Sequence, residues 1–181
     1  MGTPRQHPPV KFVCSLLYGR DASRARVLAA LVDCFGPIDY YSQAIPFTQT
    51  DYYLGEMGVL ERRILAFERL GPPDRLVDAK LTTNALEVRF RDVTGGRTVN
   101  LDVGYVTAAK LILATTKDQS HRIHLGRGVF ADQEYRFVVG GFEPLPWTYP
   151  DYRREHYRAI FRQLRRRYLH QLADRGVSPT A

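Results

Sequence analysis

The chain has 181 residues, of which 44% are hydrophobic and 25% charged, and a formal net charge of +7. This is enough for one compact domain with a real core and short for two. Its longest apolar runs, VLAALV and KLILA, fall far short of the ~20 residues that cross a bilayer, and MGTPRQHPP carries neither a secretory h-region nor a myristoylation pattern, so a cytoplasmic protein with no membrane association is expected.

Residues 1–9 read as a flexible Pro-rich lead and 177–181 as a disordered tail, with a single domain over 10–176. The expected class is α/β, with α+β as the alternative. VKFVCSLLY is a continuous apolar run of the kind that forms a strand buried on both faces. GRDASRARVLAALVDCFGP follows as a helix, with Asp21 or Ser23 as cap, a stripe of Val27, Leu28, Leu31, Val32 and Phe35, and Gly36-Pro37 as stop. IDYYSQAIPF completes an opening β-α-β unit. Cys14 and Cys34 belong to no CxxC pair, so both are expected to be buried free thiols rather than a metal or redox site.

TQTDYYLGEMG reads as a polar, aromatic connection. VLERRILAFERLGPP reads as a second helix with Leu60, Ile64 and Phe67 on one face. PDRLVDAKLTTN begins helically behind Asp74. From Leu86 the alternation of Leu86, Val88 and Phe90 has strand period and suggests a hairpin with Val99, Leu101 and Val103, unless the helix runs on to Phe90. AAKLILATT, HRIHL and VFADQEYRFVV are further strands of a mixed or antiparallel sheet. A long amphipathic helix closes the chain from Asp151, with an apolar stripe of Tyr157, Ile160, Phe161, Leu164, Tyr168 and Leu172. It carries eight Arg against Asp151, Glu155 and Asp174, which is five of the seven net positive charges.

The chemistry-bearing types concentrate in TTKDQSHRIHLGRG. A strand over HRIHL would send His121 and His124 to opposite faces, so they do not suit one metal. Lys117 with His121 or Arg122, near the Gly126–Gly128 turn, suits an anion; a solvated loop suits the same letters. Asn100 and Asp102 occupy the polar face of a strand, with Gly104 and Tyr105 just past its end, which suits a tight functional turn or a strand simply ending. Lys80, Asn84 and Glu87 share a helical face if the helix continues that far. Glu56 is a base, a metal ligand or a carboxylate at a helix start. The strand-to-helix turn YGRDASR lacks GxxxxGK[ST] and GxGxxG. GxSxG, HExxH and CxxC are also missing, so these residues give no ground for a P-loop, dinucleotide or zinc-protease mechanism.

Taken together, FGPIDYYSQAIPFTQTDYYLGEMG, KLTTNALE, RTVNLDVGY, KLILATTKDQSHRIHLGRGVFA and WTYPDYR resemble the bacterial family catalogued as domain of unknown function 4416, over about Val10 to Leu172. Val103 stands where that family usually has Pro. The resemblance implies no established activity; it marks Thr50, Tyr53, Glu56, Lys80, Asn84, Glu87, Asn100, Asp102, Tyr105, Lys117, His121 and Arg122 as motif positions, polar groups that would suit one shared pocket.

The expectation is a cationic polar pocket for a phosphate-bearing small molecule or nucleotide, with acid–base catalysis as an added possibility. Lys117, Arg122 and Lys80 would neutralise charge, with Asn84, Asn100 and Tyr105 as further ligand contacts. His121 would be the general acid or base. Glu56 and Asp102 would orient groups or hold a hard divalent cation. The rival is a non-catalytic RNA-binding or protein-assembly module working through Arg162, Arg165 and Arg166 of the terminal helix.

Overall fold

The computed structural model describes residues 2–3, 6–19, 22–47 and 60–179. Over these residues the fold is α+β: a nine-stranded antiparallel sheet with three α-helices. The strands are β1 Val10–Gly19, β2 Ile38–Tyr41, β3 Ile45–Phe47, β4 Leu60–Gly71, β5 Val99–Val106, β6 Lys110–Thr115, β7 Ile123–Gly126, β8 Val129–Val138 and β9 Gly141–Pro144. The helices are α1 Arg24–Phe35, α2 Leu76–Arg89 and α3 Glu155–Ala173. The sheet runs β2-β4-β1-β5-β6-β8-β7, with β3 on β4 and β9 on β8.

β1 is buried along its whole length, as its unbroken apolar run requires. Its even-numbered side chains, Val10, Phe12, Cys14, Leu16 and Tyr18, meet α1 and α2. On the other face Val13 joins Ile64, Leu113, Tyr135 and the α3 residues Tyr157, Phe161 and Leu164. The opening β-α-β unit is therefore a split one: β1 and β2 are each antiparallel to β4, which lies between them. No helix among the described residues is long and apolar enough to cross a membrane.

Three local expectations are corrected. LERRILAFERLG is strand β4, not a helix. Helical spacing picks out Leu60, Ile64 and Phe67 but strands Leu65 and Ala66 on polar faces. As a strand, Ile64 and Ala66 face one core while Leu65 and Phe67 face the other, and β1 pairs along almost all of it. Residues 86–89 continue α2 rather than opening a hairpin. Leu76, Ala79, Thr83 and Leu86 are its buried face, whereas Val88, the residue that made the alternation, is 59% exposed. The segment then turns on Asp92, whose Oδ1 accepts from the N–H of Thr94 and of Gly96. Third, β5 does not end at Val103 but runs on through Gly104 and Tyr105 to Val106.

That last extension depends on Gly104. A Cβ placed there would lie 2.2 Å from the carbonyl oxygen of Ile112 on β6, so the glycine serves close strand approach, not a turn. Of the thiols, Cys14 is buried but Cys34 is exposed, near the end of α1.

Candidate functional site

Among the described residues β5 and β6 pair only where Gly104, Tyr105 and Val106 meet Leu113, Ile112 and Leu111. Beyond Gly104 they part, and a cavity of about 490 Å³ occupies the gap. Asn100 and Asp102 line it from β5, Thr115, Thr116 and Lys117 from the end of β6, and Arg62 from β4; Lys80, Asn84 and Glu87 reach it from α2. The opposite wall is Tyr149, Pro150, Asp151 and Tyr152.

The parting leaves a strand edge, and α2 satisfies it. The N–H of Leu101 donates to Glu87 Oε1 at 2.6 Å, and Lys80 Nζ donates to the carbonyl of Leu101 at 3.3 Å. Two side chains thus replace the backbone partner that β6 would have supplied. Lys80 Nζ also lies 3.6 Å from Asp102 Oδ1, and Asn100 Nδ2 donates to Asp102 Oδ2 at 2.8 Å. Burial pushes the Glu87 carboxyl above its ordinary value, with the Leu101 N–H and Lys80 opposing it. The stripe Lys80-Asn84-Glu87 therefore faces the cavity, not bulk solvent. The Asn84 amide has no partner among the described residues.

Across the cavity, Arg62 and Asp151 form a buried ion pair. The Arg62 guanidinium lies over Phe47 at 4.5 Å and over Tyr152 at 5.5 Å from the ring centroids. The wall that carries Asp151 hangs from β8. Trp147 Nε1 donates to the carbonyl of Gln133 at 2.8 Å, Thr148 Oγ1 to that of Glu134, and Tyr135 Oη to that of Tyr152.

Behind Tyr149 lies a second polar group. β8 bulges at Glu134: Leu111 faces Tyr135, but Ile112 faces Gln133. Asp132 (2% exposed) and Glu134 (0% exposed) are both enclosed. Arg122 Nε donates to Asp132 Oδ2 at 2.8 Å, its Nη1 to the carbonyl of Lys117 and its Nη2 to Tyr149 Oη. His121 Nε2 lies 3.5 Å from Asp132 Oδ1, and its ring stacks on Trp147 with centroids 5.0 Å apart. Glu134 Oε2 accepts from the N–H of Tyr149 at 3.1 Å, while Oε1 finds no partner among the described residues. Burial, reinforced by neighbouring Asp132, raises the Glu134 carboxyl to about 8.

Of the residues singled out by sequence, Lys80, Asn84, Asn100, Asp102 and Lys117 come together around the cavity. His121 and Arg122 both precede β7 and turn the same way, onto Asp132, so they sit behind Tyr149 and outside the lining. Tyr105 is remote from it, edge-on to Phe12 in the core under α1 and α2. The Gly126–Gly128 turn sends Arg127 to Asp78 on α2, not toward Lys117. His124 packs on Phe130. Thr50, Tyr53 and Glu56, with Asp21 of the first loop, lie outside the described residues. Among the described residues no three His, Cys, Asp or Glu are grouped to hold a metal ion.

Sequence reasoning missed Arg62, Arg97, Tyr149, Asp151 and Tyr152, all lining residues. Once ERRILAF is taken as a strand, Arg62 falls on the same face as Leu60 and Ile64, and a charge on an apolar face is the signal that could have found it. No curated protein and no solved structure matches the chain. The model of the family described as Domain of unknown function (DUF4416) matches residues 8–168, most of the chain, and the chain belongs to that family.

Proposed function

We propose that the cavity between β5, β6 and α2 binds a phosphate-bearing small molecule, such as a nucleotide or sugar phosphate. The observation that carries this is convergence. Arg62, Lys80, Arg97 and Lys117 reach one cavity from four separate segments, and its volume of about 490 Å³ lies in the range of small-ligand sites. Those four cations stand against three acids in the lining, Glu87, Asp102 and Asp151, a net positive balance that suits an anionic ligand. The acids beside them, Glu87, Asp102 and Asp151, are held by Leu101, by Lys80 with Asn100, and by Arg62. Asp102 keeps 34% of its side chain exposed, against 8% for Asp151. In this reading Asp102 and the Asn84 amide take the hydroxyl or base edge of the ligand while Lys117 takes its phosphate. Any acid–base step falls to Asp102 or Glu87, which line the cavity, and not to His121, which is turned onto Asp132.

The test is thermal stabilisation by a panel of nucleotides, sugar phosphates and polyphosphates at fixed moderate salt, with and without Mg²⁺ or Mn²⁺. A ligand at a hundred times its dissociation constant stabilises the fold by about 2.7 kcal/mol, a readable shift. The expected result is a shift that disappears in Lys117→Ala and Asn84→Ala. A flat panel, or a shift that both variants retain, overturns the reading.

A further inference from the structure

On the α3 face of the sheet, where the β8–β9 turn meets the helix, lies a groove of about 370 Å³. Arg162, Arg165 and Arg166 line it with Phe137, Gly140 and Gly141, and among the described residues no carboxylate lines it. The cavity described above mixes both signs of charge; this groove carries one.

Its arginines are held in different ways. The Arg165 guanidinium lies 3.4 Å from the Phe137 ring centroid and its Nε donates to the carbonyl of Ala108 at 2.6 Å. Stacking and that bond fix the fork, while both Nη groups lack partners among the described residues. Arg162 passes over the turn: a Cβ on Gly141 would lie 3.3 Å from its Cδ, at a φ of +153° that side chains rarely adopt. Gly140, at φ +100°, likewise adds no side chain, so the backbone of the turn is open to a close approach by oxygen atoms. Arg166 is exposed and has no partner among the described residues.

The charge does not stop at the groove. Arg158, Arg162 and Arg166 repeat at i, i+4 and i+8 along α3, a line of about 12 Å at the helical rise. Arg158 and Arg162 both pair with Glu155, whose side chain is 60% exposed. Exposed pairs of this kind are weak, and a phosphate oxygen accepting both arms of a guanidinium is a stronger partner. The opposite side of the helix is not available: Tyr157, Phe161, Leu164, Tyr168 and Leu172 are all buried. A lipid surface would find one exposed apolar side chain here, Val139 at the tip of the turn, far short of the apolar face that an interfacial helix inserts. The one ring in the groove, Phe137, is already covered by Arg165, which leaves no platform for a base.

We infer that the groove at the β8–β9 turn, with the arginine line of α3, holds the phosphate backbone of single-stranded RNA without reading its sequence. A phosphodiester chain carries one charge per unit at a regular interval, which a regular array of guanidiniums on a straight helix can follow. An acidic protein segment would need carboxylates at that same interval to follow the line.

The experiment is fluorescence anisotropy of a short labelled oligouridylate across a salt series, using the full chain. Neutralising about three phosphates gives a slope of log K against log salt near −2. Arg162→Gln with Arg166→Gln should weaken binding at least tenfold and flatten that slope, while circular dichroism and melting stay as in the parent. Lys117→Ala, at the other cavity, should leave binding unchanged, which separates this site from the small-molecule site. Absence of binding at low salt overturns the inference, as does equal binding by the double Gln variant. Displacement by polyglutamate as effective as by unlabelled RNA also overturns it, in favour of an acidic protein partner.

Discussion

Gly104 shows how much one missing methyl group can decide. A side-chain carbon there would sit inside the van der Waals shell of the Ile112 carbonyl, so Gly104→Ala must push β5 away from β6 at the only register in which they pair among the described residues. Overpacking of this kind costs about 3 kcal/mol at its upper range, and a melting temperature several degrees below that of the parent is the expected outcome. Unchanged melting would show that the two strands can separate freely. At Glu134 the controlling variable is protonation. Its carboxyl titrates at about 8 in the folded protein and near ~4.3 in an unfolded chain. The folded state therefore keeps a proton that the unfolded state has lost, so stability falls as pH rises from about 5 to about 8 and levels off above. Glu134→Gln, which can still accept the Tyr149 N–H, should remove this part of the slope in denaturant titrations at pH 5, 6.5 and 8. An unaltered slope would place the titration elsewhere.

α2 closes the gap between β5 and β6 with side chains, and its two closing residues can be tested separately. Glu87→Ala leaves the Leu101 N–H without its acceptor and should cost about 1–3 kcal/mol. Glu87→Gln retains an acceptor oxygen and should cost clearly less; equal losses in urea melts would show that the carboxylate charge, not the hydrogen bond, matters. The same helix shows what the letters alone could reveal. α1 and α3 were legible from their amphipathic stripes, and β1, β6 and β8 from short runs bounded by turn residues. Lys80, Asn84 and Glu87 were legible as one face once α2 was granted its full length. β4 was not, because ILAF is apolar at every position and only its pairing with β1 on one side and β2 on the other decides between the two periods. Nor could Leu86, Val88 and Phe90 reveal that Val88 faces solvent.

Across the whole molecule, the sites depend on contacts that no local pattern encodes. Arg62 and Asp151 are 89 residues apart, and their buried pair ties β4 to the wall that also hangs from β8. Asp151→Ala would leave Arg62 buried and uncompensated, at a cost of about 3–5 kcal/mol, whereas Arg62→Met with Asp151→Leu should recover most of that loss. Thermal melts of the single and double variants decide: if the double is no more stable than the single, the pair is not the tie. Lys11, fully buried on β1, works in the same way, reaching Asp39, the carbonyl of Phe67 and Gln171 of α3. These long-range polar ties fix α3 and the wall after β9 against the sheet, and the two cavities lined by cations lie apart on it.

Trp147 is the chain's single tryptophan, lying flat against His121 and bonded to the strand that carries Asp132 and Glu134. Its emission therefore comes from one address in the fold, two residues from Tyr149 in the cavity wall. A change in tryptophan brightness on adding a ligand would be a native optical signal from that wall, with no dye attached and no second indole to confuse it. The same signal should stay silent when RNA occupies the far margin at the β8–β9 turn.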